Sequence, residues 1–347
     1  MPMTAAHRKF GSWRMAHLAF TVVVVATVFV FTPLASAAAA PEVDKTVGPN
    51  ECAECHKLEV EVWKATHHFK TFRELPRQMK AREIAEAMGQ KRIKAASVCL
   101  NCHFTLQRVE DETKPIAGIS CESCHSAGKD WIKVHSNFSG HKKKEQESEA
   151  ERDIRWENSE AAGMIRPTMI YALAKNCYGC HIVPNEKLVN VGGHAAGSAF
   201  ELVSWSQGEV RHNVWYSENK ENRHASAERK RILYVIGQAI ELETALRAVA
   251  AATEKEKYAV SMAKRAYNAK LNMEQIAEAV PLPEIQAIVA AANGVKLKLN
   301  NQPNLTAAAD EISKQTIAFT ENYDGTSLAA IDPLIPPEAQ YKGIPAR

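Results

Sequence analysis

Cys121-Glu122-Ser123-Cys124-His125, running on to His135, is the stretch from which this chain is read. Two thiols three residues apart, with an imidazole directly after the second, form the attachment signature of a c-type haem. The thiols reach the two vinyl groups of one porphyrin, and the adjoining histidine binds its iron. The pattern recurs at Cys52–His56, Cys99–His103 and Cys177–His181, and the four copies use all eight cysteines. Zinc sites and redox disulfides also use Cys-x-x-Cys, but neither requires a histidine after every second cysteine. The expectation is four covalently bound haem c groups. They are held by Cys52 and Cys55, Cys99 and Cys102, Cys121 and Cys124, and Cys177 and Cys180, with His56, His103, His125 and His181 as proximal iron ligands.

The N-terminus sets the compartment. Arg8, Lys9 and Arg14 precede an apolar run from Leu18 to Phe31, and Leu34-Ala35-Ser36-Ala37 supplies a signal-peptidase pattern. Cleavage after Ala37 or Ala40 predicts a periplasmic mature chain beginning near Pro41, of about 307 residues. The alternative is an uncleaved anchor, since His17 to Pro41 brackets enough uncharged residues to span a bilayer. The formal charge of +3 comes entirely from this segment, leaving 40 basic and 40 acidic side chains after it. That balance gives no footprint for nucleic acid.

Four irons need opposite-face ligands, and only seven histidines remain outside the motifs and the signal segment. His67 and His68 follow the first motif on a helical stretch with Leu58, Val62 and Trp63. His135 returns after a turn at Gly128 and Trp131. Val189–His194 and Ser206–His212 each read as a turn presenting an imidazole, while His224 is the weakest of these and His141 opens a Lys-Glu run to Glu151 that reads as solvated and flexible. Between the first two motifs, residues 73–98 read as short basic helices broken near Pro76 and Gly89. Phe104–Glu112 reads as a short strand or turn, and Met164 and Met169 read as packing residues.

From Ser226 onward there is no cysteine or histidine. Ser226 is placed to cap a long helix with Ile232, Leu233, Ile236, Ile240, Leu246 and Val249 inward. A run from Lys255 to Leu271 follows, with Tyr258, Met262 and Tyr267 inward. Asn272 is placed to cap another, Pro283 to start one ending at Asn293-Gly294, and Leu305–Phe319 to form the last. The fold class is therefore mainly α. A signal segment (1–37) precedes a tetrahaem domain with few strands (41–215), a haem-free helical bundle or hairpin (216–323) and an extended proline-rich tail from Asp324.

Cys52-x-x-Cys55-His56 with Trp63 and His68 beyond it, and Cys121–His125 with His135 ten residues on, resemble the tetrahaem cytochrome c-554 family. The resemblance covers residues 50–215. It implies an electron carrier that accepts electrons from hydroxylamine oxidoreductase in ammonia oxidisers. It also implies that His135 lies opposite His56 and His68 opposite His125, with closely stacked haem pairs. In that family the second haem, here on His103, has no opposite protein ligand, and the fourth takes a histidine well downstream. This chain departs there by offering both His194 and His212; His212 is assigned to the haem on His181, and His194 then closes the haem on His103. The expected function is an exported electron carrier between a multihaem oxidoreductase and other cytochromes. Alternatives are an enzyme acting on a small nitrogen species at an open haem, and a membrane-anchored quinol dehydrogenase if the N-terminal segment is retained. A homo-oligomer through the C-terminal helices is a candidate assembly.

Overall fold

The computed structural model describes residues 42–217 and 221–344, so the signal or anchor expected over 1–37 lies outside the described residues. Among the described residues no helix is long and apolar enough to cross a membrane.

The motif-bearing half is a succession of short helices, as expected for segments with little apolar periodicity of their own. α1 (Pro49–Ala53) starts on a proline after Gly48, and its turn continues to His56, whose N–H donates to the Cys52 carbonyl at 2.9 Å. α2 (Lys57–Ala65) buries Val60 and Val62. α3 (His67–Glu74) is capped by Thr66, whose hydroxyl accepts from Phe69 N. α4 (Met79–Ala87) stands between a 3-10 turn at Leu75–Arg77 and Gly89, as the breakers predict. α5 (Ser97–His103) carries the second motif.

β1 (Thr105–Val109) and β2 (Glu112–Ala117) form a two-stranded antiparallel hairpin. It feeds Gly118 against α3 so closely that an added Cβ would lie 2.1 Å from the His68 carbonyl oxygen. Backbone cannot yield there, so Gly118→Ala is expected to cost about 1–3 kcal/mol through overpacking. Gly294→Ala, whose Cβ meets nothing nearer than 3.5 Å, should stay within about 0.5 kcal/mol. Denaturation midpoints measure both; equal midpoints would dismiss the close approach.

α6 (Cys121–His125) and α7 (Ile132–His135) are single turns. They are tied to the start of the domain by Glu122, whose carboxylate accepts from the backbone N–H of Val47, Gly48 and Gly128 at 2.7–2.9 Å. α8 (Glu149–Ala161) opens with a Ser148/Glu151 capping box. α9 (Ile170–His181) carries the fourth motif, and α10 (Glu186–Asn190) and α11 (Leu202–Ser206) lead to the C-terminal helices.

α12 (Ala227–Ala251) starts at Ser226 as predicted and buries 17 of its 25 residues. A helix buried around most of its circumference has neighbours on all sides, which here are α9, α13 (Lys257–Ala279) and α15 (Gln302–Asn322), with α14 (Pro283–Asn293) beyond them. α13 differs from expectation because it runs unbroken through Asn272. The Asn272 amide donates to Gln238 on α12 at 2.8 Å instead of capping a new helix. Met262, Ala266, Ala269, Met273 and Ile276 are one buried stripe, which leaves Tyr267 off the stripe and half exposed rather than inward. The tail is not simply extended: Thr326–Leu334 and Glu338–Gln340 are 3-10 turns, and Leu328 and Ile331 are fully buried.

The described residues make one compact unit, and the boundary expected at 215/216 is crossed by packing. Ala174, Tyr178 and Ile182 of the fourth-motif segment share the apolar core of α12–α15. Burying each large aliphatic side chain contributes about 1.5–3 kcal/mol, so the C-terminal helices supply the larger core, beside a small cluster of Ala85, Ile93, Phe104 and Leu106 in the motif-bearing half.

Candidate functional site

Helical pitch explains each motif locally. Cysteines at i and i+3 fall on one helix face, and the histidine after them comes from the same turn. α5, α6 and α9 each end on their motif histidine. All eight thiols are free of disulfides.

The structure places a second histidine opposite each motif histidine. His56 faces His135, His68 faces His181, His103 faces His194, and His125 faces His212, each with ring centres 6.3 Å apart. Two imidazole nitrogens each about 2.0 Å from one metal, with the ring radii added, put ring centres about 6 Å apart. Four pairs at one separation, despite interplanar angles from 14° to 86°, fit one common requirement, room for a metal ion held between two imidazoles.

Hydrogen bonding at the other ring nitrogen agrees. Nδ1 of His125 lies 2.8 Å from the Ile165 carbonyl, that of His194 2.8 Å from the Ala195 carbonyl, and that of His212 2.7 Å from the Val210 carbonyl. A carbonyl only accepts, so Nδ1 carries the proton and Nε2 keeps its lone pair for a metal. Burial pushes His103, His125 and His181 down to about 4, so they are neutral at physiological pH. The neutral imidazole is the ligating form.

The remaining described histidines sort differently. His67 Nδ1 is 2.6 Å from Glu209, His141 Nε2 3.3 Å from Glu151, and His224 Nδ1 3.2 Å from Glu338. These three meet carboxylates rather than another imidazole. The segment from His141 to Glu151, expected to be flexible, is pinned instead. Glu147 is 2% exposed and forms a two-armed ion pair with Arg155, at 2.6 Å on both arms. Arg155 also donates to the His135 carbonyl at 2.6 Å. Sequence reasoning passed over Arg155; a basic residue on a helix flanked by Ile154 and Trp156 was the available signal.

Two opposite-face partners differ from expectation. His68 faces His181, not His125, and His212 faces His125, not His181. The cause is local adjacency. α6 and α9 lie side by side, with Asn176 donating to the Cys124 carbonyl at 2.9 Å. Glu209 also binds both the His67 N–H and its ring, drawing the segments that carry His68 and His212 together. Between two neighbouring helices a one-helix displacement exchanges partners, and chain spacing does not register it.

The thiols show which motifs adjoin. The Cys52 and Cys121 side chains are neighbours, as are those of Cys102 and Cys180. Burial raises the Cys177 thiol, and Cys124 beside it adds to the shift. The first motif thus neighbours the third, and the second neighbours the fourth. Aromatic side chains line these centres: Trp131 stands edge-on to His135 at 5.2 Å, Trp215 lies 4.9 Å from His56, and Phe200 stacks on His181 at 4.4 Å.

Residues 51–126 match the family described as cytochrome c554 and c-prime. A 96-residue stretch is 28% identical to cytochrome c-554 of Nitrosomonas europaea, covering 25% of this chain and 41% of that relative. No solved structure matches the chain.

Proposed function

We propose that this chain is an exported tetrahaem electron carrier with every iron closed by histidine on both faces; its match over residues 51–126 to the cytochrome c554 and c-prime family supports covalently bound haem c. The observation that carries this reading is the His103–His194 pair, whose 6.3 Å separation equals that of the other three. Haem supplies an iron that changes oxidation state by one electron.

The residues do the rest. His135, His181, His194 and His212 oppose His56, His68, His103 and His125, leaving no coordination position for a substrate at any of the four. Fixed ligation on both faces favours outer-sphere transfer and lower potential than His/Met ligation. The neighbouring cysteines order the motifs as first, third, fourth, second, the order in which haems held there would adjoin. Its two ends, at Cys52–His56 and Cys99–His103, are then where a multihaem oxidoreductase and an accepting cytochrome engage. The enzyme reading needs an open iron, and the opposed imidazole of His194 argues against one.

Intact mass of the protein purified from the periplasm tests the reading. The expected result is four haem masses on a chain beginning near Ala38 or Pro41, with only low-spin ferric signals in the EPR spectrum. A chain retaining residues 1–37 would return the anchored reading. A high-spin signal that binds nitric oxide after reduction would return the enzyme reading.

A further inference from the structure

The motif histidines differ in what their outer ring nitrogens meet. His125 Nδ1 meets a backbone carbonyl, and His56 Nδ1 lies 3.8 Å from the Glu59 carboxylate. His181 Nδ1 meets a hydroxyl instead, Ser198 Oγ at 2.8 Å. Ser198 is held from two sides. Its N–H donates to the His181 carbonyl at 3.0 Å, and its own carbonyl accepts from Arg265 Nη1 at 2.7 Å. Arg265 belongs to α13 and is 17% exposed; its Nε lies 2.7 Å from Glu241 on α12. Gly197, at φ +85, allows the approach, because a Cβ there would lie 2.8 Å from both Arg265 Nη1 and the His181 carbonyl oxygen.

A strong acceptor at Nδ1 makes a ligating imidazole more basic and stabilises the oxidised metal. A hydroxyl is a weaker acceptor than a carbonyl or carboxylate. A half-buried guanidinium next to it opposes the extra positive charge of ferric iron. We propose that Ser198 and Arg265 set the reduction potential of the centre on His181 above that of its neighbour on His125, and that the C-terminal helices, through Arg265, are the part of the chain that positions them. This rests on the reading that His181 binds a haem iron. It gives the appended helices a function beyond packing, as a tuner of one relay centre, with Ser198 and Arg265 as positioning residues.

Potentiometric titration of the holoprotein, followed by EPR, tests this. Arg265→Gln should move one of four Nernst components to lower potential, by about tenfold in the oxidised-to-reduced ratio, or about 59 mV for one electron. Arg265→Lys should retain the original value. Ser198→Ala, at an exposed position that leaves the helices intact, should move the same component upward by removing the Nδ1 acceptor. Opposite signs from two adjoining residues are not produced by general loosening. Four haem masses with no component moved, or with all components moved together, overturn the inference alone. Fewer than four haem masses on the unaltered chain overturn it together with the functional reading.

Discussion

Replacing His194 with alanine is expected, on the proposed tetrahaem reading, to convert one of four low-spin centres to high spin and to create a nitric oxide site. The imidazole of His194 is what opposes His103, while the backbone that presents it is held independently. Its N–H donates to the Leu188 carbonyl at 3.1 Å, closing the turn after α10. Removing the ring therefore leaves the turn in place and takes away one ligand. The oxidised variant should show a high-spin EPR component at one quarter of the iron, and the reduced variant should take up one nitric oxide per chain. Added imidazole should restore the low-spin spectrum by replacing the missing ring. His224→Ala is the matched control, because that ring pairs with Glu338 and adjoins Tyr341. An unchanged spectrum in the His194 variant would mean that another group closes the centre on His103.

The four motifs were legible because c-type attachment is a local pattern with a fixed residue order, and the eight histidines expected as ligands are the eight that stand in facing pairs. The helical C-terminal half was legible for a similar reason: Ile232, Ile236, Ile240 and Val249 repeat at the helical period and are all buried. What was not legible depended on which elements become neighbours. The exchange of His68 and His212 between His125 and His181 follows from α6 and α9 lying side by side, a contact made by Asn176 across more than fifty residues. Asn272 looked like a cap because asparagine is good at that task; Gln238, far away in the chain, gave it another. The Lys-Glu run from His141 looked solvated because its composition is; one of its glutamates is nevertheless buried by a single arginine.

That arginine gives the largest stability effect expected here. Arg155 and Glu147 are 5% and 2% exposed and meet through two hydrogen bonds of 2.6 Å, so deleting one partner strands the other charge out of water. Breaking a buried pair in this way costs about 3–5 kcal/mol, whereas replacing both partners by apolar groups of similar volume is often neutral. Arg155→Ala should therefore lose stability on that scale, and Arg155→Met with Glu147→Leu should regain much of it. The double variant should not regain the donor to the His135 carbonyl, so stability and ligation separate. Stability returns, while the EPR signal of the first-motif centre stays heterogeneous. The pH dependence has a definite sign. The hydrogen bond from Arg155 holds the Glu147 carboxyl down at about 2, from an ordinary value of 4.5. The unfolded chain thus binds this proton first as acid is added. The contribution of the pair is fully present above pH 4.5 and is lost as pH falls toward 2. Denaturation of the unaltered protein should weaken through that window, and the double variant should weaken less. A single Arg155→Ala variant within about 0.5 kcal/mol of the original, or an acid limb unchanged by the double substitution, would mean that the pair does not hold this segment.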